Sequence, residues 1–315
     1  MKPMLEIYYH RDFDGMAAAA ILAEALDAVR GEKELDWHGV NFDRTLEWET
    51  FGIGRRFAVV DFHFHPHAEY WFDHHPTTFL KPEHEALYQP GPTRRFDPAS
   101  PSCPPIIVAH AREEWGWEPP ARFEELVRWS NIIDAARFHS AEQALFGTDP
   151  ALRIMRALTC APDFAFHDRV VALMRRQDLV QVALDEEVDR CFRRAERNRD
   201  RALEAFPGTL VERTADTMLA DLRSRKIRRE RFAAFYLYPE LHYLVSLLPT
   251  RAGVHITVSS NPWNRPDDGL HLGEILKEYG GGGHQGVGGV NPPDDATAER
   301  WARELYERIV AARTP

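Results

Sequence analysis

The sequence predicts an α/β protein of two domains, and three observations carry that expectation. The chain is 315 residues long, too long for one compact core and about right for two domains of roughly 150 residues each. Short apolar segments alternate with helical patterns in the first half, as in a mostly parallel sheet covered by helices. A long charged stretch then leads into a region of different pattern, where strand candidates cluster ahead of a glycine run. The expected organisation is a parallel-sheet domain over 1–165, a helical connector over 166–205 and a smaller mixed-sheet α/β domain over 206–315.

Composition narrows the class. Hydrophobic residues make up 44% and charged residues 28% of the chain, a globular balance. No apolar run approaches the roughly 18–20 residues of a bilayer span, so no membrane partner is expected. The N-terminal segment enters a strand-like stretch without a secretory apolar region. Cys103, Cys160 and Cys191 are few, distant and odd in number, which argues against a disulfide framework or thiolate zinc site and for a cytoplasmic location. A net charge of −10 disfavours a surface that coats long duplex nucleic acid. A local phosphate site stays compatible with it.

Each element has its own signal. Leu5 to Tyr9 reads as a buried strand that Asp14-Gly15 ends. In the alanine-rich stretch that follows, Ala18, Ile21, Leu22, Ala25 and Val29 recur at helical spacing, predicting a helix with one face on a sheet. Phe57 to Asp61 and Tyr70-Trp71-Phe72 are further strands. Ile106 to Leu158 is helical, with Ser102 as a capping candidate ahead of Pro104. The charged stretch from about Asp168 to Arg201, with Arg193-Arg194, reads as a solvated connector helix. Beyond Phe206-Pro207-Gly208 come strand candidates Phe232–Tyr238, Tyr243–Leu248 and Val254–Ser259. A helix at Leu272–Tyr279, the glycine run Gly280 to Gly289 and a helix at Ala296–Ala312 close the chain.

Parallel sheets bind ligands beyond the carboxyl ends of their strands, and polar residues gather there. Asp12-Phe13-Asp14-Gly15 alone fits a solvated turn, and a calcium loop fails because His10 and Ile21 stand where acids are needed. Its company changes the reading: His10, Asp12, Asp14, Asp61 and His74 all fall at strand ends. Carboxylates mixed with imidazoles suit manganese, iron, zinc or magnesium. The set is too large for one tetrahedral zinc and suits a metal pair about 3.5–4 Å apart. Asp73 is placed to fix the tautomer of a neighbouring histidine. The glycine run, with His284 inside it, reads either as a flexible loop or as a cradle for phosphate oxygens. His63, His65 and His67 read as rim or loop histidines, His63 being nearest to Asp61. A barrel-type amidohydrolase, the other home for His-x-His, needs about eight strand–helix units that this chain lacks.

Asp12-x-Asp14-Gly15, the strand-end Asp61, Asp73-His74-His75, the later Asp134 and Gly281-Gly282-Gly283-His284-x-x-x-Gly288-Gly289 together resemble the DHH phosphoesterase superfamily with its associated C-terminal domain. The motifs follow the family's order across nearly the whole chain. The resemblance implies a two-manganese site, with magnesium or another divalent ion as substitutes. His10 and Asp12 would hold one ion, Asp14, His74 and Asp134 the other, and Asp61 would bridge them. His75 would face the substrate phosphate, with Asp73 and Asp61 completing the catalytic group. Gly281, Gly282, Gly283 and His284 would grip the far end of the substrate. The chain departs from the family at Asp134-Ala135-Ala136-Arg137-Phe138, where Asp-Thr-Gly-x-Phe is usual. It departs again in having Ser259-Ser260-Asn261-Pro262-Trp263-Asn264-Arg265 where many relatives carry Arg-Ser. Asn261 and Arg265 are counted with the substrate-binding residues, and Trp263 either stacks on a base or packs a turn.

The resemblance thus implies metal-dependent hydrolysis of phosphate esters in a small nucleotide or short single-stranded oligonucleotide, at an active site in the cleft between the domains. A homodimer is compatible with the sequence. The alternatives are an exopolyphosphatase or pyrophosphatase acting on inorganic chains, and a catalytically silent nucleotide sensor.

Overall fold

A computed structural model of the chain describes residues 3–41, 48–52, 54–223, 229–250 and 253–313. The chain divides into two compact units, one formed by Met1–Arg137 with Thr148–Ala195, the other by Phe138–Gly147 with Glu196–Pro315. Both are α/β: the first carries a five-stranded parallel sheet and the second a six-stranded mixed sheet.

In the first unit, β1 (Leu5–His10), β2 (Leu35–Val40), β3 (Arg56–Val60), β4 (Tyr70–Asp73) and β5 (Arg94–Phe96) lie in the order β2-β1-β3-β4-β5. The register pairs Tyr9 with Val60 and Val60 with Phe72, so the chain leaves β1, β3 and β4 at one level. Three adjacent strands therefore deliver His10, Asp61 and Asp73-His74-His75 to one edge.

Helix α1 (Phe13–Arg30) starts before Asp14-Gly15, because Asp12 caps it: the Asp12 carboxylate accepts from the Gly15 N–H at 3.0 Å. Gly31 closes it with φ 65°. The sequence predicted one buried face, yet Met16 to Ala23 are all buried. The alanines explain this: small side chains on the second face let α3 (Pro104–Trp115), α4 (Arg122–Asp134) and α7 (Phe164–Arg176) pack close while β1 and β3 take the first. Arg175 bonds Glu24 and Asp27, and Arg122 bonds Glu24, so α4 and α7 are also tied to the polar stripe of α1. α2 (Pro82–Leu87) follows β4, and α6 (Pro150–Leu158) and α8 (Leu179–Leu184) complete the unit's helices with the start of α9 (Glu186–Ala205).

Three local expectations are corrected here. Ser102 caps nothing; its hydroxyl donates to Asn131 at 2.7 Å, and α3 begins at Pro104 without a side-chain cap. The single connector helix is three helices. Asp178 and Asp185 break the charged stretch by accepting from the backbone N–H groups of Gln181 and Glu187, the local competition that makes aspartate a helix starter. His65 sits in the β3–β4 loop but is 0% exposed, edge-on to Trp48 and Phe57 in the apolar cluster beside β1 and β3.

The second unit contains α5 (Ala141–Phe146), the end of α9, β6 (Leu210–Arg213), β7 (Thr217–Asp221), α10 (Ala233–Leu237), β8 (Tyr243–Thr250), β9 (Gly253–Ser260), α11 (Leu272–Lys277), β10 (Gly282–His284), β11 (Val287–Val290) and α12 (Asp295–Arg313). Its sheet runs β10-β11-β9-β8-β7-β6. The predicted strand at Phe232–Tyr238 is instead the short helix α10, an ambiguity that apolar runs of this length carry. The glycine run is no free loop. Gly282 pairs with Gly289 and His284 with Val287, a hairpin on the edge of the sheet. No helix among the described residues is long and apolar enough to cross a membrane.

Gly15 sits where α1 closes on the end of β1, and a Cβ there would lie 2.3 Å from the His10 carbonyl oxygen. Backbone cannot yield cheaply, so Gly15→Ala is expected to cost about 1–3 kcal/mol, read as a lowered midpoint in urea unfolding.

Candidate metal centre

The strand ends and two helix termini bring six side chains together in the first unit. Among the described residues, His10, Asp12 and Asp61 form one group whose ligand atoms lie within 4.8 Å of one another, and Asp14, His74 and Asp134 form another. Asp61 lies beside both: its Oδ2 is 3.6 Å from His10 Nδ1 and its Oδ1 is 3.4 Å from His74 Nε2. His74 Nε2 is also 3.7 Å from Asp14 and 3.6 Å from Asp134.

Local structure holds each donor. Asp12 caps α1 with one carboxylate oxygen and keeps the other 3.0 Å from His10 Nδ1. Asp14, in the first turn of α1, is 1% exposed and accepts from the Cys103 N–H at 2.9 Å. Asp61 takes φ 55°, a left-handed conformation that aspartate tolerates better than most residues, with its N–H donating to the Phe72 carbonyl. Asp134 ends α4, where Arg137 N–H donates to Ile132 O and Ala136 N–H to Ile133 O. That bond pair is a Schellman cap, and it puts Ala136 at φ 51° in the position where the resembling family has glycine. Ala136→Gly should relieve left-handed strain worth about 1–2 kcal/mol against an unfolded-state entropy loss of about 0.4–1 kcal/mol. A net rise in thermal stability is expected, and calorimetry checks it.

The histidines differ in role. His74 Nδ1 lies 3.2 Å from the Ser100 carbonyl, which only accepts, so Nδ1 carries the proton. The lone pair of the neutral ring is then at Nε2, among three carboxylates, the arrangement of a ligating imidazole. His75 Nδ1 is 2.8 Å from the fully buried Asp73, which orients this histidine. Burial works against the His75 imidazolium, yet Asp73 and Asp61 outweigh it and raise its pKa to about 9. His10, likewise opposed by burial, is raised to about 11 by Asp12 and Asp61.

The carboxylates repel one another. Burial and the charges of Asp61, Asp134 and Asp12 push Asp14 well above the usual carboxylate range. Burial and the same negative neighbours Asp61 and Asp12 push Asp134 up to about 6. Asp61 is held low, because the neighbouring His10 and His74 rings override its burial. Asp14 Oδ1, both Asp61 oxygens and His74 Nε2 are buried without a hydrogen-bond partner. Buried charges left so carry penalties of several kcal/mol each. Divalent cations between these atoms remove the penalty, and oxygen with imidazole nitrogen is a donor set they accept. The residues fit the metal pair.

Among the remaining sequence candidates, His63 lies within electrostatic reach of Asp73, His75 and His10. His63 is half-buried beside Phe62, and desolvation lowers its pKa. In the second unit, His284, Gly283 and Arg265 are exposed, and Gly281 and Gly282 half-buried. The amide of Asn261 bonds the Pro239 and Leu241 carbonyls and accepts from the Trp263 N–H, so it is occupied within its own turn. Trp263 donates to the Phe138 carbonyl at 2.8 Å and packs edge-on to Phe232. Sequence reasoning missed the Ser100 carbonyl behind His74 and the Cys103 N–H behind Asp14. Both act through the backbone, and no residue type marks them.

No family model matches the chain, and no curated protein matches it in sequence. Solved structures do match. The pGpG-specific phosphodiesterase PggH from Vibrio cholerae superposes with a TM-score of 0.68 at 17% identity, over 99% of this chain and 100% of that one. The DHH domain of a member of an s1p family of ribosomal proteins gives 0.62 at 12% identity, over 98% and 86%. RecJ from Thermus thermophilus, in complex with Mn²⁺, gives 0.58 at 17% identity, over 99% of this chain and 52% of RecJ. The chain therefore has the fold of the DHH-domain proteins.

If the cluster is built for cations, metal-stripped protein will melt lower than the loaded form. Divalent ion at a hundred times its dissociation constant should add about 2.7 kcal/mol. In Asp14→Asn the stripped protein should melt higher than stripped wild type and gain less from the metal. Differential scanning calorimetry with and without Mn²⁺ reads both.

Proposed function

We propose that the chain is a divalent-metal-dependent phosphoesterase acting on small nucleotides or short single-stranded oligonucleotides. One observation carries the reading: Asp61 and His74, just beyond adjacent parallel strands, and Asp14, in the first turn of α1, present buried polar atoms without hydrogen-bond partners. A purely structural cluster would be penalised there. The fold supports the substrate class, since PggH is specific for pGpG, a linear dinucleotide. Manganese is the proposed native ion, with magnesium as substitute; RecJ has been solved with each.

In this reading His10 and Asp12 would hold one ion and Asp14, His74 and Asp134 the other, with Asp61 available to both. Bound there, the ion pair supplies an activated water and charge neutralisation for the phosphoryl group. The chain's own residues do the rest. Ser100 and Asp73 orient the two histidines differently: His74 turns Nε2 to the carboxylates, while Asp73 holds Nδ1 of His75 and, with Asp61, favours its imidazolium. A positive imidazolium beside Asp61 suits a non-bridging phosphate oxygen whose charge grows during in-line attack. Gly281, Gly282, Gly283, His284 and Arg265 of the second unit are carried as proposed substrate-binding residues on the family resemblance alone.

The test is a hydrolysis panel on metal-stripped protein with Mn²⁺ or Mg²⁺ restored, offering a 5′-phosphorylated dinucleotide, a cyclic dinucleotide, pyrophosphate and polyphosphate. Metal-dependent cleavage of the linear dinucleotide is expected. His75→Ala should lower kcat by about 10²–10³, and His74→Ala by more. Cleavage of polyphosphate alone, or full activity in His74→Ala, would contradict the reading.

A further inference from the structure

We propose that Phe164, backed by the Arg11 guanidinium, is a stacking platform for a base of the substrate, at the carboxyl end of the strand that carries His10. This rests on the phosphoesterase reading and narrows its substrate to one that bears a base. Tyr9 and Arg11 are two residues apart along β1 and its extension, so their side chains leave the same side. Both engage α7: the Tyr9 hydroxyl donates to Asp168 at 2.6 Å, and the Arg11 guanidinium lies 4.2 Å from the Phe164 ring centre. Phe164 and Asp168 are four residues apart and share a helix face. Two contacts thus pin the first turn of α7 to the end of the strand that carries His10.

The neighbourhood is built to let Arg11 reach. At Gly39 of β2 a Cβ would stand 2.5 Å from Arg11 Cγ, so the arginine stem runs through space that only glycine leaves. Phe164 opens α7, and the Asp163 carboxylate caps that turn by accepting from the Phe166 N–H at 2.9 Å. The ring is held from below and from one face, yet remains 59% exposed. Arg11 follows His10 directly at the carboxyl end of β1, the edge at which Asp61 and His74 also leave the sheet. An immobilised aromatic ring with a planar cation on it is a surface on which bases stack, whatever their identity. Inorganic phosphate chains have no such face to offer.

The experiment compares kcat/KM for a 5′-phosphorylated dinucleotide with that for its two singly abasic analogues, under manganese. Wild type should favour the intact substrate over one of the analogues by roughly 5- to 100-fold, the range that loss of one stacked base produces. Phe164→Ala should collapse that preference towards unity, and Phe164→Trp should keep it. Arg11→Lys, which retains charge and loses the planar face, should weaken it. An alanine variant that keeps the wild-type preference overturns the platform, as does one that loses activity equally on all three substrates. If wild type cleaves none of them, the phosphoesterase reading fails, and equilibrium binding of the dinucleotide decides. Binding weakened by a similar factor in Phe164→Ala sustains the platform; equal affinity, or no binding by wild type, overturns it.

Discussion

Mutual repulsion among buried carboxylates is the constraint on which the rest of the first unit depends. Asp14 and Asp61 are each 1% exposed and share a space with Asp134, with too few hydrogen-bond donors to satisfy them. Chains do not keep such a cluster for stability, because apolar residues of the same volume would serve better. Everything around it works to hold the charges in place. The cap at Asp12 starts α1, the Cys103 N–H grips Asp14, the left-handed turn at Asp61 aims its carboxylate, and the Schellman cap at Ala136 delivers Asp134.

The two histidines show how the environment divides one residue type into two functions. His74 meets the Ser100 carbonyl on Nδ1, which holds the proton there and turns Nε2 towards Asp14, Asp61 and Asp134, the place a cation would take. His75 meets the buried Asp73 at 2.8 Å, which selects a cation. Adjacent in sequence, they are separated by the chemistry behind them. In the proposed reading the asymmetry supplies one group to bind metal and one to meet the developing charge.

Much of this was legible from residue order. Buried strands ending in polar residues announce a parallel sheet with a site at its carboxyl edge, and His10, Asp61 and Asp73 fall at the ends of β1, β3 and β4. The lateral order of strands is not written in that pattern; it emerges from pairing, which sets β3 between β1 and β4. Local conformation was harder to read. Ala233 to Leu237 has strand-like apolarity but folds as a helix. The glycine run suggested an open cradle, while its backbone is half spent on a hairpin. His65 looks polar in sequence and is packed against aromatic rings. Backbone partners such as Ser100 and Cys103 left no trace, since any residue supplies a carbonyl or an N–H. Phe164 and Arg11, far apart in sequence, meet only once α7 packs against α1 and β2.

The central claim is that the cluster houses a metal pair, and a manganese titration of metal-stripped protein followed by electron paramagnetic resonance tests it most directly. Two ions separated by about 3.5–4 Å couple magnetically. The account predicts saturation at two Mn²⁺ per chain, with the signal of isolated ions replaced by that of a coupled pair, and loss of the pair in Asp61→Asn. Saturation at one ion with an uncoupled signal, or no stoichiometric binding, would contradict it.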